Sequence, residues 1–183
     1  KTVIGVDEVG RGPLAGPVVS CACIFFDHSI PLEELKLIDD SKKLTSLKRY
    51  KALRLILKMK KKNKLNYRIG SASVKEIDKL NILNATILSM KRAVQKLKIK
   101  KGTIIVDGNI KLKIGSLISK YFVNGDQLSI SIAAASIIAK IHRDKYMAKI
   151  GKNYPFFNWQ SNAGYGTSEH INQIKLRGIT PHH

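Results

Sequence analysis

Near its start the chain reads Ile4-Gly5-Val6-Asp7-Glu8-Val9-Gly10-Arg11-Gly12-Pro13-Leu14-Ala15-Gly16-Pro17-Val18-Val19. An apolar strand leads into two adjacent carboxylates, and a glycine-rich turn separates them from a second apolar run. Like charges this close raise each other's pKa, so a cation between them is favoured. Carboxylate oxygens suit a hard divalent cation, and glycines let backbone approach a ligand closely. The stretch therefore predicts two strands joined by a turn that brings metal and phosphate together.

The rest of the chain alternates between strand-like and helix-like segments. Strands are predicted at 2–6, 18–26, 66–73, 103–106 and 120–123, and loops at 27–45 and 158–166. Helices are predicted from residue 46 to the lysine run at 60–64, at 74–80, 82–97 and 129–149, and from Thr167 to Leu176. This order predicts an α/β fold. The 183 residues contain no linker or internal repeat, so we expect one domain over 1–183.

The charge balance is strongly positive. Lys and Arg number 33 against 13 Asp and Glu, which gives a formal net charge of +20. Such a field attracts polyanions, so nucleic acid is the first candidate partner and an acidic membrane surface the second. A membrane role is disfavoured because no basic amphipathic segment with aromatic anchors stands out. No apolar run reaches the roughly 20 residues that span a bilayer.

The two cysteines, Cys21 and Cys23, alternate along an apolar strand and therefore point to one face. A lone Cys-x-Cys without further Cys or His partners makes a poor zinc site. We expect both residues to be buried free thiols in a reducing environment, which favours a cytoplasmic location.

Three aspartates share one feature, since Asp7, Asp107 and Asp126 each end an apolar run beside a glycine-containing turn. Ligand sites in open α/β sheets lie beyond strand ends, so these acids converge if their strands are neighbours, and Glu8 joins them. Acids without His or Cys favour Mg²⁺ or Mn²⁺ over zinc. Two such ions about 3.5–4 Å apart serve phosphodiester hydrolysis. Taken alone, an Asp-Glu pair is more commonly a solvated turn.

The sixteen-residue opening resembles the N-terminal signature of the type 2 ribonucleases H, and the ribonuclease HII family in particular. Ribonuclease HIII proteins match less well, because Arg11 stands where they tend to carry lysine. Further matching segments are Val106-Asp107-Gly108, Asn124-Gly125-Asp126 and Ala135-Ser136-Ile137-Ile138-Ala139-Lys140. The resemblance implies a ribonuclease H-like fold: a central mixed five-stranded sheet flanked by helices, with a helical C-terminal region. It also implies that Asp7, Glu8, Asp107 and Asp126 are the catalytic, metal-binding carboxylates.

The same resemblance implies how a ribonucleotide is distinguished from a deoxyribonucleotide. Its 2′-hydroxyl must be contacted, and the family uses the turn that falls on Gly10, Arg11 and Gly12. A tyrosine between two glycines, Tyr165 here, would pack on the sugar that follows the ribonucleotide. The segment Ser41-Lys42-Lys43 also resembles the family and could hold a phosphate, although a solvated capping loop explains it equally well. Asn124 and Ala163 depart from the family pattern.

The function implied is a metal-dependent endonuclease that uses Mg²⁺ or Mn²⁺ at a two-metal site. It would cut the RNA strand of RNA–DNA hybrids, and single ribonucleotides in duplex DNA, on the 5′ side of the ribonucleotide. The products would carry 3′-hydroxyl and 5′-phosphate ends. Primer removal and ribonucleotide excision repair are the implied roles, for a monomer without a membrane partner. The sequence does not decide whether a sliding clamp is contacted.

Two other functions remain open from the residues alone. A ribonuclease H-like DNA nuclease would share the carboxylates, but it has no need of the two glycine turns. A non-catalytic basic binding module would show salt-dependent binding without turnover. The lysine run at 60–64 suits a helix C-terminus as well as a DNA contact. Asp144 and His170 are interpreted as structural.

Overall fold

The computed structural model describes residues 2–27, 29–39 and 44–183. The strands are β1 (Val3–Val9), β2 (Val18–Phe25), β3 (Leu65–Ala72), β4 (Thr103–Asp107) and β5 (Ile118–Phe122). The helices are α1 (Leu32–Leu35), α2 (Ser46–Lys61), α3 (Val74–Gln95), α4 (Gly125–Leu128), α5 (Ile130–Gly151), α6 (Trp159–Asn162) and α7 (Ser168–Arg177). The candidate phosphate residues Ser41, Lys42 and Lys43 lie outside the described residues.

The strands form one mixed sheet in the order β3-β2-β1-β4-β5. The first three strands along the chain pair antiparallel, while β4 and β5 run parallel to β1. This confirms the α/β class and the predicted mixed five-stranded sheet. The parallel half matters for the site, because the carboxyl ends of β1, β4 and β5 meet at one edge.

Alternation along β1 sends its side chains to two different layers. Ile4 and Val6 pack with α3 residues such as Met90 in one apolar core. On the opposite face Gly5 lies directly under α5, where an added Cβ would be 2.3 Å from the carbonyl carbon of Ser131. The absent side chain therefore lets the helix backbone rest on the strand, as close helix–strand packing requires. The alanines of α5 pack with Cys21 and Cys23, which are free and buried as predicted.

Some predicted boundaries were wrong. β1 continues to Val9, because Asp7 pairs with Cys21 and Glu8 with Ser20 in the ladder with β2. Both carboxylates therefore lie inside the strand. The predicted loops contain single helical turns, α1 within 27–45 and α6 within 158–166. The two helices predicted over 74–97 are both present, separated by a break at Asn81, whose φ is +67°.

The C-terminal residues form a separate, aromatic core against α5, in which Phe157 stacks on Trp159. Thr167 caps α7 as predicted. His170 is fully buried, and its Nε2 accepts a 3.0 Å hydrogen bond from Nε1 of Trp159. Its Nδ1 lies 2.8 Å from the carbonyl oxygen of Tyr165. Because a carbonyl only accepts, Nδ1 is the donor, and the imidazole supports the loop that carries Tyr165.

We expect acid to weaken this aromatic core through His183. Its pKa is lowered from 6.5 to about 4, first by burial and then by the neighbouring His170 and His182. The folded protein therefore binds fewer protons than the unfolded chain between about pH 6.5 and 4. The free energy of unfolding must fall as the pH drops through that window.

Thermal melts at pH 7.5, 6 and 4.5 measure this effect against the His183→Gln variant, which cannot titrate. The melting temperature of the wild type should drop more steeply with pH than that of the variant. Parallel pH profiles would contradict the assignment to His183.

None of the helices in the described parts of the chain is both long and apolar enough to cross a lipid bilayer.

Candidate active site

Asp7 and Asp107 are brought together by strand register. Val6 pairs with Val106 in the parallel ladder of β1 and β4. The next residue on each strand is an aspartate, and neighbouring strands lie about 4.8 Å apart. Asp7 is 5 % exposed. Two carboxyl groups from segments a hundred residues apart in sequence are therefore adjacent at the same edge of the sheet.

Asp126 reaches this edge through the turn after β5. The N–H of Gly125 donates a 2.7 Å hydrogen bond to Oδ1 of Asp107. Asp126 is the next residue, in the first turn of α4, and it is buried. A Cβ on Gly125 would lie 2.7 Å from Cδ1 of Ile132 and 3.4 Å from the Asp107 carboxylate oxygen. Glycine therefore allows α4 to approach the end of β4 closely.

The electrostatics of Asp7 are unfavourable to its charge. Its pKa is raised to about 8, mainly by burial and then by the negative charges of Glu8 and Asp107. Hydrogen bonds from the Ser136 hydroxyl and from the Glu8 N–H, the latter 2.7 Å long, oppose the rise. A buried carboxyl that resists ionisation beside two other acids is typical of functional sites that take a cation.

A pocket of about 260 Å³ opens over Asp7 and Glu8, and neither Asp107 nor Asp126 is among its lining residues. Its lining combines carboxylates, cations and one aromatic ring: Asp7, Glu8, Val9, Arg49, Ser136, Lys140 and Tyr165. The acids come from β1, the cations from α2 and α5, and the ring from the loop before α7. Negative groups that favour a metal and positive groups that favour a phosphate thus face one space.

The predicted ribose-reading turn lies beside Tyr165. A Cβ placed on Gly12 would be 3.8 Å from Cε1 of the tyrosine ring. The ring is 41 % exposed and lies 5.9 Å from Nζ of Lys140. Arg11 extends from the turn with its Nη1 3.4 Å from Oε1 of Glu8. Gly10 has a φ of +101°, a conformation that favours glycine. The two elements proposed from sequence to read the substrate are therefore neighbours in space.

Sequence reasoning assigned no role to Arg49, Ser136 or Lys140 in this pocket. Ser136 and Lys140 are four residues apart and thus share one face of α5. Arg143 and Met147 continue the same face, so helical spacing from the quoted Ala-Ser-Ile segment was a usable signal. Arg49 had no local signal, because it reaches the pocket only through the packing of α2 on α5.

Oxygen ligands suited to Mg²⁺ or Mn²⁺ are available at this edge of the sheet. However, within residues 2–27, 29–39 and 44–183 no group of three or more His, Cys, Asp or Glu side chains is gathered closely enough to hold a metal ion. Carboxylates without a cation between them repel one another. The carboxylates therefore fit a hard cation in the type of their oxygen ligands and in their burial, but in the described residues they are not gathered into a closed coordination site.

Known proteins resemble this chain over nearly its whole length. A family model described as ribonuclease HII matches residues 4–183. A ribonuclease HII from Wolbachia pipientis subsp. Culex pipiens (strain wPip) is 49% identical over 185 residues, covering 99% of this chain and 87% of the relative.

Two solved structures show the same fold. The first is ribonuclease HII of Archaeoglobus fulgidus in complex with PCNA, with a TM-score of 0.79, 21% identity and coverage of 99% and 92%. The second is Bst ribonuclease HIII in complex with Mn²⁺, with a TM-score of 0.71, 20% identity and coverage of 97% and 63%.

Proposed function

The chain belongs to the ribonuclease HII family, and we propose that it cuts RNA–DNA hybrids and single ribonucleotides embedded in duplex DNA. Cleavage falls on the 5′ side of the ribonucleotide and leaves 3′-hydroxyl and 5′-phosphate ends. The activity resides in one catalytic domain over 1–183. The free, buried Cys21 and Cys23 fit a reducing compartment such as the cytoplasm. Primer removal and ribonucleotide excision repair are the roles that this chemistry serves.

The observation that carries the proposal is the shared pocket. Asp7 and Glu8 face the same space as Tyr165 and the cations Arg49 and Lys140. A site for phosphodiester hydrolysis needs an anionic metal side and a cationic or polar side for the nucleic acid. A simple basic binding surface would not bury acids beneath the place where phosphates arrive, since they would repel the ligand.

We propose that Asp7, Glu8, Asp107 and Asp126 hold two divalent ions, Mg²⁺ or Mn²⁺. The Mn²⁺ complex of the ribonuclease HIII neighbour supports a divalent ion at this fold. Bound ions of this kind supply an activated water and stabilise the leaving oxygen. Ser136 orients the Asp7 carboxyl through its hydroxyl. The N–H of Gly125 orients the carboxyl of Asp107. Both carboxyls are therefore held in fixed orientations for binding a metal ion.

The distinction between RNA and DNA is proposed to lie with the turn and the tyrosine. Backbone groups of Gly10, Arg11 and Gly12 reach the 2′-hydroxyl, which is both a donor and an acceptor. Tyr165 packs on the following sugar, and Lys140 beside its ring neutralises a phosphate. Ser41, Lys42 and Lys43, outside the described residues, are proposed as further phosphate contacts.

The test is strand cleavage of a DNA duplex carrying one ribonucleotide, with Mg²⁺, with Mn²⁺ and with chelator. An all-DNA duplex of the same sequence is the control substrate. We expect a metal-dependent cut on the 5′ side of the ribonucleotide only. Cleavage of both duplexes would indicate a DNA nuclease, and salt-sensitive binding without cleavage would indicate a binding module.

Asp107→Asn is expected to lower kcat/KM in this assay by at least about 100-fold, which corresponds to roughly 3 kcal/mol of transition-state stabilisation. The amide keeps an acceptor for the Gly125 N–H but removes the charge that a divalent ion needs. Asp78→Asn makes the same charge change on the exposed face of α3 and should retain wild-type activity. Near-wild-type cleavage by Asp107→Asn with Mg²⁺ at neutral pH would overturn the metal assignment.

A further inference from the structure

The turn over residues 10–17 and the loop over 162–167 come from opposite ends of the chain but meet beside the pocket, to which the loop contributes Tyr165. The N–H groups of Leu14 and Ala15 both donate to the carbonyl oxygen of Gly164, at 2.9 and 3.3 Å. Gly12 faces the ring of Tyr165 across the contact between the turn and the loop, which we call the seam. Direct backbone hydrogen bonds between the turn and the loop therefore help to set the relative position of the two elements.

Arg143 of α5 lies at the centre of those contacts. The side chain is fully buried. Its guanidinium donates to the carbonyl oxygens of Ala15 and Ala163 at 2.8 Å each, and to that of Pro17 at 3.0 Å. Two of these acceptors belong to the turn and one to the loop, so a single planar group bridges both.

The surrounding glycines are shaped to this side chain. A Cβ on Gly10 would lie 2.5 Å from Nε of Arg143. A Cβ on Gly164, whose φ is +83°, would lie 2.5 Å from the carbonyl oxygen of Ala15. Side chains at either position would push the two elements apart. The bridge and the seam thus depend on the same close backbone approach.

The charge of Arg143 is compensated by the dipoles of three carbonyl groups, because its planar guanidinium donates to all three at once. The adjacent Asp144 is paired instead with Lys140, at 2.8 Å. Burial lowers the pKa of the guanidinium, while Tyr165 and Asp144 oppose that shift. A lysine offers a point charge on one nitrogen and cannot reproduce three divergent bonds.

Arg143 also links the turn and the loop to the carboxylates through helix α5. Seven residues, or about 10 Å along the helix, separate it from Ser136, whose hydroxyl bonds Asp7. Both side chains lie on the same face of α5. One rigid helix therefore holds the acids at one point and the bridged turn and loop at the next.

We propose that Arg143 is a positioning residue that fixes the spacing between the ribose-reading turn and Tyr165, and thereby sets selectivity for the RNA-to-DNA junction. This rests on the function proposed above. Selecting a junction requires two successive sugars to be read at once, which demands a fixed distance between the two readers. A displacement of about 1 Å between positioned groups is enough to cost 100-fold in rate.

The test compares kcat/KM for two substrates: duplex DNA with one ribonucleotide and a continuous RNA–DNA hybrid. Arg143→Met should lower the ratio of the first to the second at least tenfold, and Arg143→Lys should restore part of it. Loss of folded enzyme lowers both values equally and leaves the ratio unchanged. Arg92→Met is the matched control, because the partners of this arginine, the Ser71 carbonyl and Glu76, belong to neither the turn nor the loop.

An unchanged ratio in folded Arg143→Met would overturn the inference and leave a stabilising role only. If that variant does not fold, Gly164→Ala tests the same spacing, and it should also lower the ratio at least tenfold. Retention of the ratio in folded Gly164→Ala would likewise overturn it. A wild-type protein that cuts neither substrate defeats the proposed function and this inference together, whereas a cutting wild type with unchanged variants defeats the inference alone.

Discussion

Asp7→Asn is expected to raise the melting temperature of the metal-free protein by about 4–8 °C while lowering cleavage at least about 100-fold. The Asp7 carboxyl is buried beside Glu8 and Asp107, and its pKa is raised to about 8. An amide of the same shape removes the repulsion, and its oxygen can still accept the hydrogen bond from the Glu8 N–H. We convert the pKa shift conservatively into a gain of about 2 kcal/mol in the free energy of unfolding of Asp7→Asn over the wild type.

The sign of the pH dependence separates this effect from ordinary packing changes. The folded protein binds more protons at Asp7 than the unfolded chain between pH 3.8 and about 8. The contribution of Asp7 to stability therefore falls as the pH rises through this window. The advantage of Asp7→Asn should be small near pH 4 and largest near pH 8.

Thermal melts in chelator across this range, with Asp78→Asn as the matched charge control, measure the gain. Addition of Mg²⁺ or Mn²⁺ should stabilise the wild type more than the variant, because a ligand stabilises only the state that binds it. A variant that melts lower than the wild type at pH 8 would show that Asp7 is not electrostatically strained.

Gly5→Ala is expected to destabilise the protein by about 3 kcal/mol or more and to abolish cleavage with it. The new methyl group would lie 2.3 Å from the Ser131 carbonyl carbon and 2.4 Å from the Ile132 nitrogen. Both are backbone atoms of α5 and cannot rotate away. The helix would have to lift from β1, carrying Ser136, Lys140 and Arg143 away from the carboxylates.

Chemical unfolding of Gly5→Ala, compared with Gly115→Ala, measures this directly. Gly115 has a φ of +50° and no atom within 4 Å of an added Cβ, so only backbone strain of about 1 kcal/mol is expected there. Equal losses in the two variants would mean that the approach of α5 to β1 is not tightly packed.

Local sequence patterns were sufficient for much of this protein. The apolar runs predicted all five strands, and the predicted capping residue Thr167 begins a real helix. The position of Asp7, Asp107 and Asp126 at apolar run ends was also readable, because each signal lies within a few neighbouring residues. The true end of β1 was not, since the ladder with β2 continues past Asp7 and Glu8 whatever their side chains.

Contacts between distant segments required the folded chain. The pairing of β1 with β4 makes neighbours of Asp7 and Asp107, and the packing of α2 delivers Arg49 to the pocket. The bridge from Arg143 to Ala15 spans 128 residues, and no local pattern specifies it. Periodicity and turn chemistry act over a few residues and are written in sequence, whereas the burial of a charge and its carbonyl partners depend on which surfaces meet when the sheet and helices pack.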